Sequence, residues 1–111
     1  MGLNDKRILI CDDDELLRDF YARVIKTHGY ECINAVNGDE AIEILEDGHN
    51  ITLAIIDLLM PVRTGWEVIE YMKSKDSFKK IPIIAVSGLS NSQTEFEKVK
   101  SLCADVLHKG D

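Results

Sequence analysis

The chain is predicted to fold as an α/β domain, a parallel five-stranded sheet with helices on both faces. Three observations lead there. Short apolar runs rich in branched residues recur five times, at 7–11, 30–36, 53–56, 81–86 and 104–108. Stretches with helical spacing of apolar residues separate them, and such alternation implies right-handed crossovers between parallel strands. Finally, several of the runs end in a polar residue of chemical interest, where open α/β sheets hold their ligands.

Arg7 to Cys11 is the first strand and runs straight into Asp12-Asp13-Asp14-Glu15. Such an acidic run suits a helix start, since carboxylates favour the positive end of the helix dipole. Leu16, Leu17, Phe20, Val24 and Ile25 then recur at helical spacing, and His28-Gly29 closes that helix. Tyr30 to Val36 reads as a strand with Asn37-Gly38 as its turn. Ala41, Ile42, Ile44 and Leu45 mark a second helix, closed near Gly48. Leu53 to Ile56 is a strand buried on both faces, and Asp57 stands at its C-terminal end. Pro61 and Gly65 follow at turn spacing, Gly65 supplying backbone freedom before a helix from Trp66 to about Ser74. Val68, Ile69 and Met72 face inward there. Ile81 to Val86 is the next strand. Glu95 to Leu102 is a helix with Phe96, Val99 and Leu102 on one face, and Ala104 to His108 is a last short strand.

Length and composition bound the function. A chain of 111 residues is one domain with a single modest core, and 45% apolar with 30% charged residues is ordinary for a globular protein. A net charge of −7 argues against nucleic acid as a partner, since no basic stripe is left to neutralise phosphates. Cys11, Cys32 and Cys103 are odd in number and lack a CxxC pair, which reads as reduced thiols in a core. No apolar signal segment opens the chain and no run approaches the ~18 apolar residues that span a bilayer. The expected location is the cytoplasm, away from membranes.

Two buried strands ending in acids are harder to explain by helix capping than one. If those strands are neighbours, Asp12, Asp13 and Asp57 converge on one pocket. Two carboxylates ~4 Å apart repel by about 4 kcal/mol at an effective dielectric of about 20. The cluster must then take up a proton or hold a cation, and oxygen-only ligands in an open site suit Mg²⁺. Ser87 ends the 81–86 strand, followed by Gly88, and Lys109 ends the last one. A hydroxyl and an ammonium thus point to the rim that carries the acids. The set comprises a nucleophile, a metal site and two ligands for phosphoryl oxygens.

With these residues in view, the sequence resembles the receiver domain of two-component response regulators, over essentially its whole length. The resemblance rests on Ile8-Leu-Ile-Cys-Asp-Asp-Asp14, Asp57-Leu-Leu-Met-Pro61 with Gly65, Ser87-Gly88, and Lys109, in that order. It implies a flavodoxin-like doubly wound sheet in the order 2-1-3-4-5. It also implies that Asp57 is a phosphoacceptor supplied by a histidine kinase or histidine phosphotransfer protein. Asp13 and Asp57 would bind Mg²⁺ directly together with the backbone carbonyl of Leu59, and Asp12 would act through water. Ser87 and Lys109 would bind the phosphoryl group. The implied role is a signalling switch rather than an enzyme acting on a separate substrate.

The chain departs from the family pattern in three places. Gly110 stands where a proline usually follows the lysine, Val106 where a tyrosine or phenylalanine is common, and Asp111 ends the sequence where a fifth helix would begin. A face left bare by that helix, with Val24, Val106 and Leu107 as candidate residues, suggests a homodimer. The alternative reading is a receiver-like binding module that works without phosphorylation, though all five site residues are present. A flavodoxin would need an amide-rich phosphate loop where Asp12-Asp13-Asp14 stands. A haloacid-dehalogenase-like phosphatase would need its nucleophile after the first strand and a larger chain.

Overall fold

A computed structural model describes residues 6–60, 62–87 and 93–108. Its strands are β1 (Arg7–Cys11), β2 (Glu31–Ala35), β3 (Ile51–Asp57), β4 (Ile83–Ser87) and β5 (Asp105–His108). They form one sheet in the order β2-β1-β3-β4-β5, and every neighbouring pair is parallel. The helices are α1 (Glu15–Thr27), α2 (Gly38–Glu46), α3 (Gly65–Ser74) and α4 (Gln93–Leu102). The fold is therefore the flavodoxin-like arrangement expected, with four helices among the described residues.

Helix starts are set by side chains that accept from otherwise unpaired amides. Asp14 caps α1 by accepting from the Leu16 and Leu17 amides, and Thr64 caps α3 by accepting from that of Glu67. Asn37, read from sequence as a strand-ending turn, caps α2 through the Glu40 amide at 2.9 Å. Glu40 reaches back to accept from the Val36 amide, also at 2.9 Å. That capping takes Val36 out of the sheet, so β2 is shorter than the apolar run suggested. Gly29 and Gly48 follow the ends of α1 and α2 with φ of +87° and +77°, which a side chain would resist.

The sheet divides two unequal cores. On one face Leu9, Cys11, Ala54, Ile56, Ile83 and Ala85 meet Ala41 and Leu45 of α2, Val68, Ile69 and Met72 of α3 and Val99 of α4. On the other face Ile8, Ile55 and Val86 are covered by half-buried Tyr21 and Ile25 of α1.

On this thinner side Val24 is exposed as expected, whereas the expectation for Val106 is corrected. The apolar residues of α1 form two stripes: Tyr21 and Ile25 pack inward, while Leu16, Phe20 and Val24 are 80%, 58% and 43% exposed. Val106, expected on the bare face, is half-buried against the larger core, and its neighbour Leu107 is the residue left 45% exposed. Strand alternation is the reason, since successive side chains point to opposite faces. No helix among the described residues is long and apolar enough to cross a membrane. The Phe96 side chain, Pro61, Gly88, Lys109 and Gly110 lie outside the described residues.

Candidate phosphoacceptor site

The topology brings the acids together. β1 lies between β2 and β3, and Cys11 pairs with Ile56, so Asp12 and Asp57 follow at adjacent strand ends. Carboxylate oxygens of Asp12, Asp13 and Asp57 all lie within 4.8 Å of one another. Asp12 and Asp57 are buried, whereas Asp13 is exposed. Three anionic groups this close suit a hard divalent cation, which needs oxygen ligands and keeps part of its water shell. The donor set fits Mg²⁺. Ser87 is buried at the end of the next strand, one residue beyond the Asp57–Val86 pair. Lys109 lies outside the described residues.

Local hydrogen bonds fix the loop on each side. The Asp14 amide donates to Asp12 Oδ1 at 2.9 Å, and the Asp12 amide donates to the Ala35 carbonyl at 3.1 Å. After Asp57, the Leu58 amide donates to the Val86 carbonyl at 2.9 Å and the Leu59 amide to Asp57 Oδ1 at 3.2 Å. Leu59 itself is 48% exposed beside the pocket. Met60 is buried, and the Cys11 thiol lies 3.4 Å from its sulfur.

Cys11 reports the local field. Burial, and then the charges of Asp12, Asp57, Glu40 and Asp13, push its thiol from the ordinary 9.0 up to about 12. Burial likewise raises Cys103 to about 11 and, less strongly, Cys32. These cysteines are free, and the shifts favour the protonated thiol over the reactive thiolate.

The loop beyond the pocket is held by contacts that sequence inspection did not anticipate. Val62 has φ of +70°, a left-handed conformation that costs a branched residue on the order of 1–3 kcal/mol. Its neighbour Arg63 pairs with Asp39 of α2 at 2.6 Å and Glu67 of α3 at 3.2 Å. The Arg63 carbonyl accepts from the Gly38 amide at 3.1 Å. A β-carbon on Gly38 would come within 2.4 Å of that carbonyl oxygen, so the two loops can dock this closely only with glycine there. The Asp39 and Glu67 partners are distant in sequence or one turn away, and only the i,i+4 spacing to Glu67 gave a signal.

The response regulator receiver domain model matches residues 8–110, and the chain belongs to that family. Among curated relatives, response regulator RR06 of Streptococcus pneumoniae is 36% identical over 98 residues, which cover 88% of this chain and 43% of that protein. The polar-differentiation response regulator DivK of Brucella anthropi is 33% identical over 85 residues, covering 77% of this chain and 68% of DivK. The chain thus spans less than half of RR06 but two thirds of DivK. Among solved structures, response regulator TrrA from Thermotoga maritima in complex with Mg(2+)-BeF has a TM-score of 0.80 at 30% identity, covering 95% of this chain and 87% of TrrA.

Proposed function

We propose that this chain is a Mg²⁺-dependent phosphoacceptor, with residues 1–111 acting as one receiver unit and Asp57 as its nucleophile. The observation that carries the reading is the convergence of Asp12, Asp13 and Asp57 carboxylates within 4.8 Å at the ends of two adjacent strands. The Mg²⁺–fluoroberyllate complex of TrrA, at 30% identity, supports the choice of metal.

A carboxylate oxygen of Asp57 attacks the phosphorus of a phosphohistidine, the P–N bond breaks, and the electron pair leaves on the imidazole. An acyl phosphate results. Charge is the obstacle, because a carboxylate must approach a phosphoryl group that is itself anionic. Asp13, Asp57 and the Leu59 carbonyl would hold Mg²⁺, with Asp12 acting through water, and the bound ion would supply positive charge to offset the negative charge of both reactants. Ser87 donates its hydroxyl to a phosphoryl oxygen, and Lys109 pairs with another. The phosphoryl donor is a histidine kinase or a histidine phosphotransfer protein, and the product is a change in the surface offered to a partner.

Incubation with acetyl phosphate and Mg²⁺ tests this. The intact chain should gain one phosphoryl group, labile to hydroxylamine as an acyl phosphate must be, and Asp57→Asn should gain none. Equal incorporation by Asp57→Asn, or none by the wild type, would contradict the reading.

A further inference from the structure

Arg18 is the one basic side chain that reaches into the acidic loop among the described hydrogen bonds. It sits in the first turns of α1, where its own amide donates to the Asp14 carbonyl at 3.0 Å. From there the half-buried guanidinium turns back, and Nη1 donates to the main-chain carbonyl of Asp12 at 2.7 Å. That carbonyl belongs to the peptide unit joining Asp12 to Asp13. A charge-assisted bond of this length is among the stronger kinds available to a backbone acceptor.

Other described hydrogen bonds tie the loop on either side of this peptide. The Asp12 amide is held by Ala35 and the Asp14 amide by the Asp12 carboxylate. The Asp14 carboxylate is occupied in capping α1. Asp13 is exposed, and the direction in which its carboxylate extends is set by the plane of the preceding peptide. Rotation of that plane would swing Asp13 away from Asp12 and Asp57. We infer that Arg18 is a positioning residue for the cation site: it clamps the Asp12–Asp13 peptide so that the Asp13 carboxylate stays with the other two. The inference rests on the metal reading given above and adds to it a residue that touches neither metal nor phosphoryl group.

A second effect of Arg18 runs the other way. Its positive charge, near three carboxylates, opposes binding of a divalent cation, so its removal on electrostatic grounds alone would tighten binding. Groups that orient metal ligands typically contribute 10–100-fold in metal affinity. Positioning therefore outweighs a charge that is screened and half-exposed.

The test is a Mg²⁺ titration of the intact 111-residue chain, followed by Trp66 fluorescence, for wild type, Arg18→Ala and Arg18→Lys. Trp66 stands next to Gly65, whose amide bonds the loop leaving Asp57, and is a convenient reporter. Arg18→Ala should weaken Mg²⁺ binding about tenfold. Arg18→Lys, which retains a donor and the charge, should recover most of the loss. In the metal-free protein the Asp13 amide resonance should shift in Arg18→Ala and return towards wild type in Arg18→Lys.

Tighter binding by Arg18→Ala would overturn the inference, because charge would then be the only role. Unchanged affinity with a lower urea midpoint would also overturn it, leaving Arg18 a stabilising contact alone. A wild-type chain without any Mg²⁺ response overturns the metal reading and this inference together; the two preceding results overturn this inference only.

Discussion

Gly65 lies so close to the main chain of Asp57 that a β-carbon on it would stand 2.0 Å from the Asp57 carbonyl oxygen and 2.8 Å from the Leu58 α-carbon. The Gly65 amide donates to the Leu58 carbonyl at 3.1 Å, closing the loop that leaves β3 back onto the first turn of α3. Absence of a side chain is what lets the helix start against the strand that carries Asp57.

Gly65→Ala should therefore do more than change helix propensity. The backbone cannot yield without moving Asp57 or Leu58, and a forced clash of this kind costs about 1–3 kcal/mol. Urea unfolding should show a midpoint lowered accordingly. Amide shifts should concentrate at residues 57–66. An unchanged midpoint would mean that the loop relaxes freely and that the close approach is not required.

Cys11 makes alkaline stability testable. Its thiol is raised in the folded state to about 12 from 9.0. The folded protein thus favours the neutral form, and its contribution is complete below pH ~9, the ordinary thiol range. As pH rises from there towards the folded value, the unfolded chain loses the proton first and stability falls. Cys103, raised to about 11, contributes to the lower part of the same window. Cys11→Ala should flatten the decline in unfolding free energy between about pH 9 and 11, by an amount on the order of one kcal/mol per pH unit. An identical slope in the variant would show that other groups carry the alkaline transition.

Much of this arrangement could be read from sequence, and the failures have physical reasons. The strands were legible because buried branched runs alternate with helical patterns, their order followed from the resemblance to receiver domains, and acids at two strand ends pointed to one pocket. Gly65 was identified correctly as special but for the wrong reason. Among the described glycines positive φ falls on Gly29 and Gly48, while in this loop it falls on Val62. Gly65 is needed for room, which no pattern of neighbours reveals. On α1, apolar residues at 16, 20 and 24 and at 17, 21 and 25 have the same spacing, so periodicity alone could not say which stripe packs inward. Arg18 escaped notice because its partner is a backbone carbonyl, and Arg63 because Asp39 lies in another helix. Long-range polar contacts leave little trace in a single sequence.

The outward stripe of α1 has a consequence in solution. Leu16, Phe20 and Val24, with Leu107 on β5, expose apolar surface on the side of the sheet with the smaller core. Each such side chain left in water forgoes ~1.5–3 kcal/mol of burial. The 111-residue chain is predicted to self-associate through this face. Sedimentation over a hundredfold concentration range should show an increasing mean mass, and Phe20→Ser should suppress it. A wild-type chain that stays monomeric throughout would contradict the prediction.

Asp57, and no other acid of the cluster, is the proposed carrier of the phosphoryl group. Borohydride reduction of the phosphorylated chain reads this directly, because it converts an aspartyl phosphate to homoserine and leaves free carboxylates untouched. Peptide mapping after acetyl phosphate, Mg²⁺ and borohydride should find the conversion at position 57 alone, and it should vanish when Mg²⁺ is withheld. Conversion at position 12 or 13, or at position 57 with undiminished yield in the absence of the metal, would rule out Asp57 as the Mg²⁺-dependent phosphoacceptor.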